Sequence, residues 1–274
     1  MAIFMPLLRH RLLPLLGVLL TSSLLSAPLQ AAEKIEIAAF EYPPIYQDKT
    51  DKGLAGDLVV AAFKAAGIDA ELKFYPVARM VNTVAEGGAY CAIGGTVLFE
   101  PPEVAKSLNI AGLVLYVSQV FIYDTREHPE GISYSRLEDM GRYRIGLLKS
   151  SGVMKILEKA RSLNLEPTGT HESSANQLKQ GRIDVWAIVD LTGEMYLKQL
   201  FPNEARFFKR TKAFNRGDVS LACSRKLDPG NEYSARFREG LARIKANGTY
   251  LQIMARYYGG KALINKDALP EDVH

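Results

Sequence analysis

Short apolar runs alternate with amphipathic stretches along most of this chain, the pattern of strands and helices taking turns in a sheet flanked by helices. Residues 34–40 (KIEIAAF) form the first apolar run, which stops at Pro43-Pro44, where a paired central strand cannot continue. Residues 57–66 (DLVVAAFKAA) start on a carboxylate and meet Gly67, the two end signals of a helix. A strand over 70–75 and a helix over 77–86 follow, the helix closed by Gly87-Gly88. Residues 91–96 (CAIGGT) read as a third strand that carries glycine. This first series is β-α-β-α-β, whose parallel crossovers are right-handed in nearly all folds.

A second series begins after the apolar stretch 110–123. Ser135-Arg136-Leu137-Glu138 has the S-x-x-E form of a capping box. A strand over 144–148 (RIGLL) leads into Lys149-Ser150-Ser151-Gly152, which opens a helix expected to reach about Ser162. Another helix starts at Ser174 and stops at Gly181, and residues 183–189 (IDVWAIV) form a buried strand ending on Asp190. A helix over 191–200, a strand over 219–224 and helices over 232–246 and 249–258 complete the pattern. No Pro/Gly/Ser-rich linker separates the two series. Two α/β lobes joined by strands account for that better than independent beads.

The N-terminus adds an address. Arg9 and Arg11 precede a short apolar run, 12–20, and a tail of small residues ending at Ala31-Ala32. These are the three parts of a secretory signal, and the apolar run is shorter than the roughly 20 residues a bilayer requires. Residues 1–32 are therefore expected to be a cleaved signal peptide, and no later run is long and apolar enough to span a membrane. The chain has 34 basic and 30 acidic residues, and setting aside Arg9 and Arg11 leaves 32 against 30. With no basic run or basic–aromatic stripe, nucleic acid is disfavoured as a partner. Cys91 and Cys223 are too few for a metal cluster and too far apart for a C-x-x-C motif. In an oxidising compartment they form one disulfide or remain two buried thiols.

Several segments carry a family resemblance. Glu41-Tyr42-Pro43-Pro44 follows the first strand, and Gly53-Leu54-Ala55-Gly56-Asp57-Leu58 has a G-x-x-x-D-L form. Tyr75-Pro76-Val77-Ala78-Arg79 opens the second helix, and Leu137-Glu138-Asp139-Met140-Gly141 precedes a strand and a Ser/Gly turn. Gln180-Gly181-Arg182-Ile183-Asp184 is followed by Asp190, and the C-terminal part contains Lys245-Ala246-Asn247-Gly248-Thr249-Tyr250 and Tyr257-Tyr258-Gly259-Gly260. In order and spacing these resemble the family 3 extracellular solute-binding proteins, the polar amino-acid type of periplasmic receptor. The resemblance implies a two-lobed type II periplasmic binding protein fold, each lobe a mixed sheet flanked by helices, with two hinge crossings. The first lobe would be 33–118 with 218–274, the second 119–217. In this fold the strand returning from the second lobe lies antiparallel beside the third strand. That places Thr96 near Asp218 or Val219 and implies a Cys91–Cys223 disulfide.

Ligand would sit between the lobes, at the carboxyl ends of the strands. Lys149, Ser150 and Ser151 lie between a strand and a helix and present donors suited to an anion, or else cap the helix. Gly95 and Thr96 end the third strand, where small residues let a ligand approach the backbone. Asp190 ends a buried strand, and in the family an acidic residue there holds the ligand's ammonium; the alternative is a helix cap. Glu41 and Tyr42, with Tyr46 as a possible second ring, would line the first lobe. Trp186 reads as core. Amino-acid binders of the family place an Arg shortly after the third strand to clamp the α-carboxylate. Here the segment is Phe99-Glu100-Pro101-Pro102-Glu103-Val104, with no Arg. Arg79 is expected to supply the cation instead, and the ligand is a small polar solute, an amino acid or related compound.

The role implied is a periplasmic receptor, monomeric, that closes on its solute and delivers it to an ABC transporter permease in the inner membrane. It needs no cofactor, metal or catalytic residue. The alternative is an enzyme on the same scaffold, such as a cyclohexadienyl dehydratase-like lyase using Glu41, Glu100 and Asp190. Against that, there is no nucleophile elbow, H-E-x-x-H or phosphate loop. The four histidines, His10, His128, His171 and His274, are scattered. A kinase sensor domain would need a membrane span after the lobes, and none follows.

Overall fold

The first apolar run becomes β1 (Glu33–Ala39), which lies parallel between β2 (Ile68–Phe74) and β3 (Cys91–Gly94). α1 (Gly53–Ala65) and α2 (Val77–Ala85) make the crossovers. The computed structural model describes residues 1–3, 33–47, 50–149 and 151–273, so most of the expected signal peptide, and Ser150, lie outside it. Helix α1 starts four residues before the expected Asp57. The Asp51 carboxylate accepts from the Gly53 N–H at 3.1 Å, the job expected of Asp57. Gly53 is required there: its φ is 75°, and a Cβ would sit 2.7 Å from the Ile45 carbonyl oxygen. Asp57 lies inside the helix and accepts from the Tyr257 hydroxyl at 2.6 Å and from Arg256.

After a single turn, α3 (Pro102–Ala105), the chain enters β4 (Leu108–Asp124), the longest strand described. Its first part pairs antiparallel with β9 (Asn215–Ser224), from Leu108↔Ser224 to Gln119↔Asn215. Its last part pairs with β7 (Val185–Val189) and β8 (Phe208–Arg210). Beyond β7 lie β5 (Arg144–Leu148) and β6 (Asn164–Thr168), both parallel to it. Helices α4 (Gly152–Leu157), α5 (His171–Lys179) and α6 (Asp190–Leu200) connect these strands. α7 (Glu232–Ala246) and α8 (Thr249–Tyr258) follow β9 within the bounds their pattern implies. Asp228 anchors the start of α7, accepting from the Tyr233 and Ser234 N–H groups and from the Ser234 hydroxyl.

Three local expectations are corrected. The expected helix to Ser162 ends at Leu157, and six residues of turn and bend, 158–163, lead into β6. In the expected capping box the acceptor is Asp139, not Glu138: its carboxylate takes the Ser135 and Arg136 N–H groups at 3.0 and 2.9 Å. Helix α5 begins at His171, three residues early, because Thr170 caps it by accepting from the Ser173 N–H.

The buried apolar side chains of the described residues form four groups, the largest of which reaches Val189 of β7 and Leu191 of α6. Ile37, Leu58, Phe63, Leu221, Phe237 and Tyr250 belong to the largest, with Met80, Ala92 and Phe99 on the opposite face of the same strands. Trp186, Ile188, Leu178 and Leu197 form a third group, and Phe121, Met140, Leu147 and Leu157 a fourth. Each half of the sheet is thus covered on both faces, as its run of wholly buried strand residues requires. β4 supplies residues to both halves. Among the described residues no helix is long and apolar enough to cross a membrane.

Candidate functional site

The carboxyl ends of β1 and β3 face the same way because both strands are parallel, and the residues expected to meet a ligand follow them. After β1, the cis Pro43–Pro44 peptide turns the chain so that the Tyr42 and Tyr46 backbones bond each other at 2.8 and 3.0 Å. Glu41 is exposed at the start of this turn. Tyr46 is buried, its ring 4.7 Å from Phe40, so it packs the loop instead of forming a wall. Tyr42 projects the other way, toward α5.

After β3, Gly95 and Thr96 are half-buried. Thr96 is held by Asp218, one of the two residues expected beside it: its N–H donates at 3.0 Å and its hydroxyl at 3.1 Å to the two carboxylate oxygens. The Ser220 hydroxyl donates to the same carboxylate at 2.8 Å. Asp218 comes from β9, 122 residues further on, so only the β3–β9 register brings the two together. In that register Cys91 stands directly opposite Cys223, and the two are bonded.

Asp190 starts α6 with its carboxylate already hydrogen-bonded. It is 1% exposed. One carboxylate oxygen accepts from the Leu191 N–H at 2.7 Å; the other accepts from Arg210 at 2.9 Å and from the Asn265 amide at 2.6 Å. Asn265 also donates to the Ser118 hydroxyl, and Arg216 of β9 grips the adjoining segment through the Asp267 and Leu269 carbonyls and Glu271. Asp190 therefore ties α6, β8, β4 and the C-terminal segment at one place. Burial raises its carboxyl above the ordinary value, and the Asn265 and Arg210 contacts oppose that rise.

Ser151 is an N-cap: its hydroxyl accepts from the Met154 N–H at 3.1 Å, and α4 is only 6 residues long. Lys149 is exposed. Arg79 is exposed in the first turn of α2, its guanidinium 5.5 Å from the centre of the Tyr75 ring. Tyr75 is in turn fixed by donating to Glu36 at 2.8 Å.

The arrangement least visible in the sequence surrounds His171. Its ring lies 5.7 Å from Tyr42, 5.3 Å from Tyr196 of α6 and 6.0 Å from Trp186 of β7. Trp186 is fully buried, and its indole N–H and both His171 ring nitrogens have no hydrogen-bond partner. Each such buried group costs ~1–3 kcal/mol. Burial lowers the basicity of His171, attraction from Glu172 opposing it, and burial raises the phenols of Tyr42 and Tyr196. Tyr42 packs on the first core, whereas Trp186 belongs to the third group and Tyr196 packs against it. The ring contact therefore joins the first group to the third.

Solved structures share this architecture. An L-cystine solute receptor of Neisseria gonorrhoeae, in its unliganded open conformation, matches with a TM-score of 0.63 at 18% identity, over 85% of this chain and 96% of that one. An ancestral arginine-binding protein bound to arginine matches with a TM-score of 0.61 at 20% identity, over 82% and 98%. A histidine kinase sensor domain with similarity to periplasmic binding proteins matches with a TM-score of 0.62 at 18% identity, over 84% and 97%. At these identities the likeness is one of fold: the chain is a mixed α/β protein with the type II periplasmic binding protein fold. No family model and no curated protein matches its sequence.

Proposed function

We propose that this chain is a periplasmic solute-binding protein that closes on a small polar ligand and presents it to an ABC transporter permease. The lobes would be 33–118 with 218–274 and 119–217, moving about β4 and β9. The observation that carries the reading is the Tyr42–His171 contact, made between Tyr42, which packs on the first core, and His171, which lies against Trp186 and Tyr196 of the third group. The secretory pattern of residues 1–32 and the Cys91–Cys223 bond support an oxidising compartment outside the cytoplasm. That chains sharing the fold include an L-cystine solute receptor and an arginine-binding protein supports the ligand class.

Glu41, Tyr42, Arg79, Gly95, Thr96, Lys149, Ser150 and Ser151 are the contacts proposed to face the ligand. Asp190 is reassigned to the hinge, since its carboxylate oxygens already accept three donors. With that carboxylate engaged and no Arg at 103 or 104, the usual pair of handles for an α-amino acid is missing. Thermal-shift screening of the exported protein against L-arginine, L-cystine, polyamines and small organic acids identifies the class. A ligand recovered unchanged after denaturation supports a receptor, and a converted product supports the lyase. For an anionic hit, Arg79→Ala is expected to weaken binding tenfold or more, the loss of a charge-assisted hydrogen bond of ~1.5–3 kcal/mol. An unchanged shift rejects the role given to Arg79.

A further inference from the structure

We propose that His171 is a closure residue whose imidazole must be neutral for the two cores to meet, so that acidification opens the cleft. This rests on the reading of two closing lobes given above. In the observed arrangement the His171 ring is the surface on which Tyr42 lands, with an interplanar angle of 87°, while Tyr196 and Trp186 back it from the second core. Both ring nitrogens are sealed from water and unpartnered. A neutral imidazole leaves one donor and one acceptor unmet; an imidazolium leaves two donors and a charge. His171 is also the first residue of α5, where the helix dipole disfavours a cation.

The groups facing it from each packed element are few. Glu172, exposed and on the same helix, favours the cation; Tyr42 from the β1 loop and Tyr196 from α6 are phenols that burial keeps neutral. Attraction of a cation to the ring faces works with Glu172. Burial outweighs them, so His171 binds its proton less readily in the closed form than in water. Moving Tyr42 away returns the nitrogens to solvent and restores an ordinary value near 6.5. Above about pH 6.5 closure is therefore unopposed. Below it the ratio of closed to open molecules falls by up to ~10-fold per pH unit, until the lower, closed-state value is passed.

Trp186 is the single Trp of the chain and lies 6.0 Å from His171, so its emission reports that ring, since an imidazolium in contact quenches indole more than imidazole does. The exported protein is titrated from pH 8 to 5 without ligand, following Trp fluorescence and the radius of gyration by X-ray scattering. The expected result is a single quenching step with its midpoint below pH 6.5 and a radius of gyration that grows over the same interval. Both changes should vanish in His171→Gln, with His171→Phe as the second variant should the first fail to fold. A midpoint at or above 6.5, a constant radius of gyration, or the same titration in the variants overturns the proposal. None of these readouts uses a ligand, so their failure leaves solute binding to be judged by the thermal-shift screen.

Discussion

Replacing Cys91 and Cys223 together by Ala lowers the melting temperature by roughly 10 °C, measured by calorimetry under oxidising conditions. The bond closes a loop with a sequence separation of 132 residues, which contains the whole of β4 to β8. Cutting it releases that loop in the unfolded chain, at a cost of ~2–5 kcal/mol, with the upper end favoured by the loop length. For a protein of this size each kcal/mol moves the melting temperature by about 2–4 °C. The two residues face each other in the β3–β9 pairing and are fully buried. Ala is the informative replacement, since Ser would bury two hydroxyls in an apolar group. An unchanged melting temperature would show that the register alone, without the bond, holds β9 against β3.

Gly240→Ala is expected to destabilise by ~3 kcal/mol or more, the upper range for inserting a group into a packed interior. α7 crosses α1 at this residue, and a Cβ would lie 1.9 Å from the Ala62 carbonyl oxygen and 2.8 Å from its carbon. Backbone atoms cannot rotate aside, so the helices must part. Parting them loosens Phe63 against Phe237, whose ring centres are 5.4 Å apart in the largest core group. Ala gains about 1 kcal/mol over Gly in helix propensity, too little to offset the clash. Urea unfolding measures the difference. Gly230→Ala is the control: nothing lies within 4 Å of its Cβ position, and its stability should stay within ~0.5 kcal/mol of the parent. Equal midpoints for the two variants would refute the close-contact argument.

Elements that bury many residues with a steady period were legible. β1, β5 and β7 are apolar runs, and α7 and α8 fall on 232–246 and 249–258 as their spacing implies. β6 was missed because it is an edge strand: of Asn164–Thr168 only Thr168 is buried, and Pro167 is tolerated at an edge. β8 and α3 are too short, at 3 and 4 residues, to show a period. The start of α5 was displaced because Thr170 caps it where Ser174 was equally suitable by type, and α1 starts early at Gly53, whose N–H donates to Asp51.

The site divides along the same line. Tyr42, Thr96 and Asp190 were identified by their places after strands, a property of the local chain. What each of them does depends on partners at large sequence distance: Thr96 with Asp218, Asp190 with Arg210 and Asn265, Tyr42 with His171. The alternation of apolar and polar residues is a local quantity, set by which side of a strand or helix loses water, and it can be read along the chain. Partnership is not local. The register of β9 against β3 aligns the first lobe's strands, and the packing of α5 and α6 over β7 brings His171 against Tyr42, Tyr196 and Trp186. They also surround the Asp190 carboxylate with Leu191, Arg210 and Asn265 and set two distant cysteines opposite each other in a bond.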